Sequence, residues 1–173
     1  LLKMIKMAPT SAPVEEDYFK HLEHSIELEI ARDISVWWRC LQIEKYCILT
    51  SNLLKLQNQF DEEVRVFYFQ HNVSPYIEVA SMQFLEHITA TKQGLLHTVA
   101  SFEKNLIQLK RKQITQAIVE WDYEPYAILD ILLRGKPFEV KSIQGSYQTI
   151  MGMDIEHYFT VVDNANDEDV ELV

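Results

Sequence analysis

Ile114-Thr-Gln-Ala-Ile-Val-Glu-Trp121, Pro125-Tyr-Ala-Ile-Leu-Asp-Ile-Leu-Leu-Arg-Gly135, Ser146-Tyr-Gln-Thr-Ile-Met151 and Tyr158-Phe-Thr-Val-Val162 are the four runs whose hydrophobic period decides the fold. In the first, Thr115, Ala117, Val119 and Trp121 alternate with Gln116 and Glu120, the period of a strand. In the second, Pro125 supplies a fixed φ at a helix start and Gly135 the permissive residue at its end, with Pro137 beyond. The last two runs alternate again. Tyr147, Thr149 and Met151 alternate with Gln148 and Ile150, and His157, Phe159 and Val161 with Tyr158, Thr160 and Val162. A hairpin turning near Met153-Asp154-Ile155-Glu156, with or without a helical turn there, is expected. The fold class read from this is α+β. A helical bundle over 13–112 precedes a small unit over 113–163 with a roughly three-stranded sheet and one helix. An arm (1–12) and an acidic tail (164–173) flank them.

Upstream of Ile114 the period is helical. Pro13 and Glu15-Glu16-Asp17 signal a first start, followed by Phe19, Leu22, Ile26 and Ile30. A second helix is expected from near Asp33, its apolar stripe running through Ile34, Trp38, Leu41, Leu49, Leu53, Leu56 and Phe60. Neighbouring helix residues diverge by about 100°, so Trp37 and Trp38 cannot share a face. One is expected in the core, the other at its edge or at an interface. Val64–Phe69 has strand-favouring residue types. Asp61-Glu62-Glu63 before it suits a helix start, with Asp61 as cap, and a short helix is expected. Ser74-Pro75 opens the next helix, Thr91–Gly94 breaks it, and Leu95, Val99, Phe102, Leu106 and Leu109 line another that Lys110-Arg111-Lys112 closes.

The 173 residues are 47% apolar, enough to form a core, and four Gly and five Pro leave little room for long loops. A net charge of −10 argues against a nucleic-acid backbone or an anionic membrane as the main partner. No run of about 18 apolar residues is present, and Lys3-Met4-Ile5-Lys6 interrupts any signal-type apolar region. Cys40 and Cys47 on one helix would sit roughly 10 Å apart, beyond disulfide reach. Free thiols fit a reducing compartment, and a cytoplasmic location is expected.

His21 and His24 lack further ligands at metal spacing, and His71, His87, His97 and His157 are scattered. No nucleophile elbow, phosphate loop or dinucleotide fingerprint exists. No catalytic residue, no metal site and no cofactor in this chain are therefore expected. The cluster Trp121-Asp122-Tyr123-Glu124-Pro125-Tyr126 either caps the core or forms a recognition surface, and its composition supports both readings equally. A small sheet also has edges, and an unpaired edge can template an incoming strand.

Pro75-Tyr76-Ile77 with Phe84-Leu85-Glu86, Phe102-Glu103-Lys104-Asn105-Leu106, Trp121 with Glu124-Pro125, Leu132-Leu133-Arg134-Gly135, Tyr147-Gln148-Thr149 and Tyr158-Phe159-Thr160-Val161-Val162 carry a resemblance. Over roughly Pro75–Asp163 the chain resembles the small partner subunits of multinuclear-iron peptide-modifying enzymes. These serve methanobactin biosynthesis and related systems that modify cysteine in ribosomally made peptides. The resemblance implies a heterodimer with an iron-containing barrel-type oxidase subunit. Iron would sit in that partner, and this chain would have no activity alone. It further implies that the chain binds a precursor's leader, commonly as an added strand. On that reading Tyr147, Gln148, Thr149, Ile150, Tyr158, Phe159, Thr160 and Val161 are the peptide-binding candidates. Trp37, Trp38, Trp121, Tyr123 and Tyr126 are the partner-interface candidates. The alternative expectation is a helical adaptor or scaffold outside any enzymatic complex.

Overall fold

A computed structural model describes residues 25–135 and 144–164. The expected arm, the helix start at Pro13, Pro137 and nearly all of the acidic tail lie outside the described residues.

The first described helix, α1 (Ile26–Tyr46), starts at Ser25, whose hydroxyl accepts from the Leu28 amide at 3.2 Å. Glu27 and Glu29 in its first turn complement the helix dipole. The expected start near Asp33 is therefore wrong. Asp33 sits mid-helix on the exposed side, 3.8 Å from Arg65. The chain then breaks at Cys47 (φ −109°, ψ 61°) and resumes as α2 (Ile48–Leu56). A second break at Asn58, with φ 56°, precedes α3 (Phe60–Gln70). The single stripe expected across this stretch is thus carried by three helices. Leu49, Leu53 and Phe60 are buried, whereas Ile34, Trp38 and Leu56 are exposed.

Val64–Phe69 is helical, inside α3, although Gln59 rather than Asp61 occupies the cap position. The chain continues through α4 (Ile77–Thr91), a break at Gly94 (φ 62°) and α5 (Leu95–Lys110). Ser74 does not cap α4: its hydroxyl accepts from Tyr76 N in the turn before the helix, Tyr76 itself takes the cap position with no side-chain cap bond, and regular helix begins two residues after Pro75.

Three antiparallel strands follow in the order β1-β2-β3, with β1 (Gln116–Tyr123), β2 (Gln144–Gly152) and β3 (Phe159–Asp163). Between β1 and β2 lies α6 (Pro125–Arg134). Glu124 caps it, accepting from the amides of Tyr126 and Ala127, and Gly135 ends it in the left-handed region at φ 64°. A 3-10 turn at Glu156–Tyr158 joins β2 to β3. His157 and Tyr158 take positive φ there and so leave the strand the alternation assigned to them. One apolar core is continuous from Val36, Cys40 and Leu54 through Phe84, Val99 and Phe102 to Trp121, Ile128 and Met151. The sheet's inner face therefore rests directly on α5.

Candidate functional site

The ladder fixes which backbone groups are spent. Asn164 N donates to Ser146 O at 3.0 Å and Met153 N to Thr115 O at 3.4 Å. With the register Ile150↔Thr160 and Ile118↔Ile150, even-numbered residues of β2 bond to β3 and odd-numbered ones to β1. The backbone of β2 is thus used on both sides, and no strand can add beside Ser146–Met151. The outer strands among the described residues are β1 and β3. Their outward-pointing groups belong to Gln116, Ile118 and Glu120 on β1, and to Phe159, Val161 and Asp163 on β3.

Of the peptide-binding candidates, Thr149 is fully buried and faces the helices. Trp121 Nε1 donates to Thr149 Oγ1 at 3.1 Å, and that hydroxyl donates to Val119 O at 3.4 Å. Tyr147 and Val161 share this inner face and are half-buried. Phe159 packs edge-on against Phe102, ring centroids 5.0 Å apart, and touches Tyr126 at 5.8 Å. Gln148, Ile150 and Thr160 lie on the outer face, and Tyr158 lies in the turn.

The partner candidates separate more sharply. Trp121 is 2% exposed and stacks edge-on against Phe102 at 5.5 Å, so it is core and forms no surface. Tyr123 is half-buried, whereas Tyr126 is 53% exposed. Trp121 thus follows the core-capping reading, while Tyr126 is left exposed at the surface. Trp37 and Trp38 are 60% and 56% exposed. The expectation that one enters the core is wrong. The core side of α1 is filled by Leu28, Val36, Cys40 and Ile43, and neither tryptophan shares that side. With Ile26, Ile30 and Ile34, all more than half exposed, they form a second apolar stripe along the helix.

The residue that sequence reasoning missed is Glu103 on α5. Its two carboxylate oxygens accept from Leu49 N and Thr50 N, each at 2.9 Å, and so cap the start of α2 at the Cys47 break. Burial pushes its carboxyl above the ordinary 4.5, against the lowering effect of these hydrogen bonds. No local signal marks it, because cap and capped helix lie about 50 residues apart in sequence. Cys47, also at this joint, donates toward Ser81 O at 3.6 Å, and burial pushes its thiol up. Burial, with Asp61 adding to it, raises the Cys40 thiol to about 11. Both are free and buried, and their burial favours the thiol over the thiolate form. His71 and His87 meet edge-on at 4.9 Å against Phe67. Among the described residues no three His, Cys, Asp or Glu side chains are grouped to hold a metal ion. None of the described helices is long and apolar enough to cross a membrane.

Among the described residues the geometry defines an α+β chain whose helical layer backs one face of a three-stranded sheet with β1 and β3 outermost, and carries a separate exposed apolar stripe. No protein-family model, no curated protein and no solved structure matches it.

Proposed function

We propose that this chain is a non-catalytic partner subunit. It binds the leader of a ribosomally made precursor peptide and presents the peptide's cysteine to an iron-dependent oxidase subunit. The observation that carries this reading is the open sheet: a rigid ladder, backed by aromatic packing, whose outer strand β3 has backbone groups at Phe159, Val161 and Asp163 pointing away from β2. An extended peptide pairing there gains main-chain hydrogen bonds with little demand on its sequence, and outer-face residues such as Thr160 meet its alternate side chains. Trp37, Trp38 and Tyr126 then offer exposed aromatic area to the oxidase subunit. The adaptor reading is favoured by the same tryptophans, which suit any apolar partner.

The test pairs the chain with a barrel-type iron protein and a short cysteine-containing peptide encoded beside it. Co-purification and peptide binding are expected. The position of the site is read with Val161→Pro, which removes an outward donor while leaving the β2–β3 ladder bonds in place. It should weaken peptide binding about tenfold or more, whereas Ile118→Pro on β1 should not. Unchanged binding by a folded Val161→Pro chain excludes addition at β3. Absence of both peptide binding and co-purification sinks the reading itself.

A further inference from the structure

The apolar stripe on α1 is unusual in its size and its order. Ile26, Ile30, Ile34, Trp37 and Trp38 recur at spacings of four and three, so they form one ridge along the helix. This ridge is distinct from the core side made by Leu28, Val36, Cys40 and Ile43. At the 150–250 Å² an aromatic side chain carries, the two tryptophans alone present roughly 250 Å². The three isoleucines bring the patch to on the order of 500–600 Å², the upper end of what a soluble monomer displays.

We infer that in the free chain this ridge is closed by the same ridge of a second copy, the two α1 helices running antiparallel about a two-fold axis near Ile34. The first argument is area. A copy-to-copy contact withdraws up to about 1,000–1,200 Å² in all, which reaches the lower threshold of a biological interface. The second is shape. The ridge is aliphatic at its N-terminal end and aromatic at its C-terminal end. With Ile34 on the axis, Ile30 of one copy falls opposite Trp38 of the other, with Trp37 beside it. Each flat indole meets a small branched side chain. The third is the helix dipole, which antiparallel pairing sets head to tail.

A functional consequence rests on the partner-subunit reading above. The second copy occupies the surface proposed for the oxidase, so self-association and complex formation exclude each other. A free subunit then waits as a dimer and exchanges one partner for another.

The test uses the full chain alone. Sedimentation equilibrium over roughly 1–200 µM should show the mass rising with concentration, from 20.3 kDa to about twice that. Emission from Trp37 and Trp38 should shift to the blue as the dimer forms, while buried Trp121 reports no change. Ile30→Lys and Trp38→Lys change exposed positions, so both chains should keep their helical circular dichroism. Each should weaken self-association about tenfold or more. A monomer across the whole range overturns the inference, whether the ridge is then covered within the chain or by a different co-purifying protein. A dimer that survives both substitutions places the contact elsewhere and overturns it equally. Neither result touches peptide addition at β3, which is read with Val161→Pro and a peptide ligand.

Discussion

Replacing Glu103 with alanine should cost about 3 kcal/mol of folding stability, although the residue touches no exposed surface. The figure follows from what is left behind. Leu49 N and Thr50 N each lose a carboxylate acceptor at 2.9 Å in a place where Glu103 is only 5% exposed. A buried donor left bare costs about 1–3 kcal/mol. Two of them, with the positive end of α2 now uncompensated, outweigh the relief of no longer burying a carboxylate. That relief is real, because burial raises the Glu103 pKa above 4.5. Glu103→Gln keeps one carbonyl acceptor and should lose about half as much. The pH dependence has a definite sign. A carboxyl whose folded-state pKa is raised stabilises fully below its unfolded value of 4.5 and loses that contribution as pH rises through the folded value. The advantage of wild type over Glu103→Gln should therefore be larger near pH 5 than near pH 7.5, for chains still two-state in urea. A loss below about 1 kcal/mol for Glu103→Ala would refute the capping role. A wild-type advantage that grows with pH would refute the sign.

Two further outcomes bear on the core under the sheet. Trp121→Phe keeps the ring stacked near Phe102 but removes the Nε1 donor to Thr149. It should cost about 1.5–3 kcal/mol in chemical denaturation, and a loss within error would mean that this hydrogen bond carries nothing. His87 is held below the ordinary 6.5 by burial first and by His71 second, with Lys92 also lowering it and Glu63 opposing. Its stabilising contribution is present above 6.5 and lost as pH falls through the folded value. Wild type should thus lose stability relative to His87→Gln on acidification past 6.5, read as unfolding midpoints across the range, and a flat difference would remove His87 from the pH response.

Local chemistry made the C-terminal unit legible. Pro125 and Gly135 sit where a helix must begin and end, and the two-residue period of Ala117, Val119 and Trp121 places their side chains on the face that packs. The boundaries that failed were set by distant residues. Nothing between Asp33 and Phe60 reads as a helix break at Cys47, because the cap that stabilises the break hangs from α5. His157 and Tyr158 alternate like strand residues, yet they turn the chain with positive φ. The period cannot show that the hairpin needs its tightest bend there.

The edge and the tryptophans show the same division at the level of function. Sequence alternation identifies the strands of a small sheet but not their spatial order, so β2 and β3 looked equally open. Pairing of β1 onto β2 removes one choice, because each β2 residue has a single amide and a single carbonyl to give. For Trp37 and Trp38, the angular argument correctly says that both cannot face one core. It does not say that either must. The core side of α1 was already complete with Leu28, Val36, Cys40 and Ile43, residues smaller than tryptophan that let α3 and α4 approach closely. The large rings were therefore left on the opposite ridge, where their area is available to another molecule rather than to this fold.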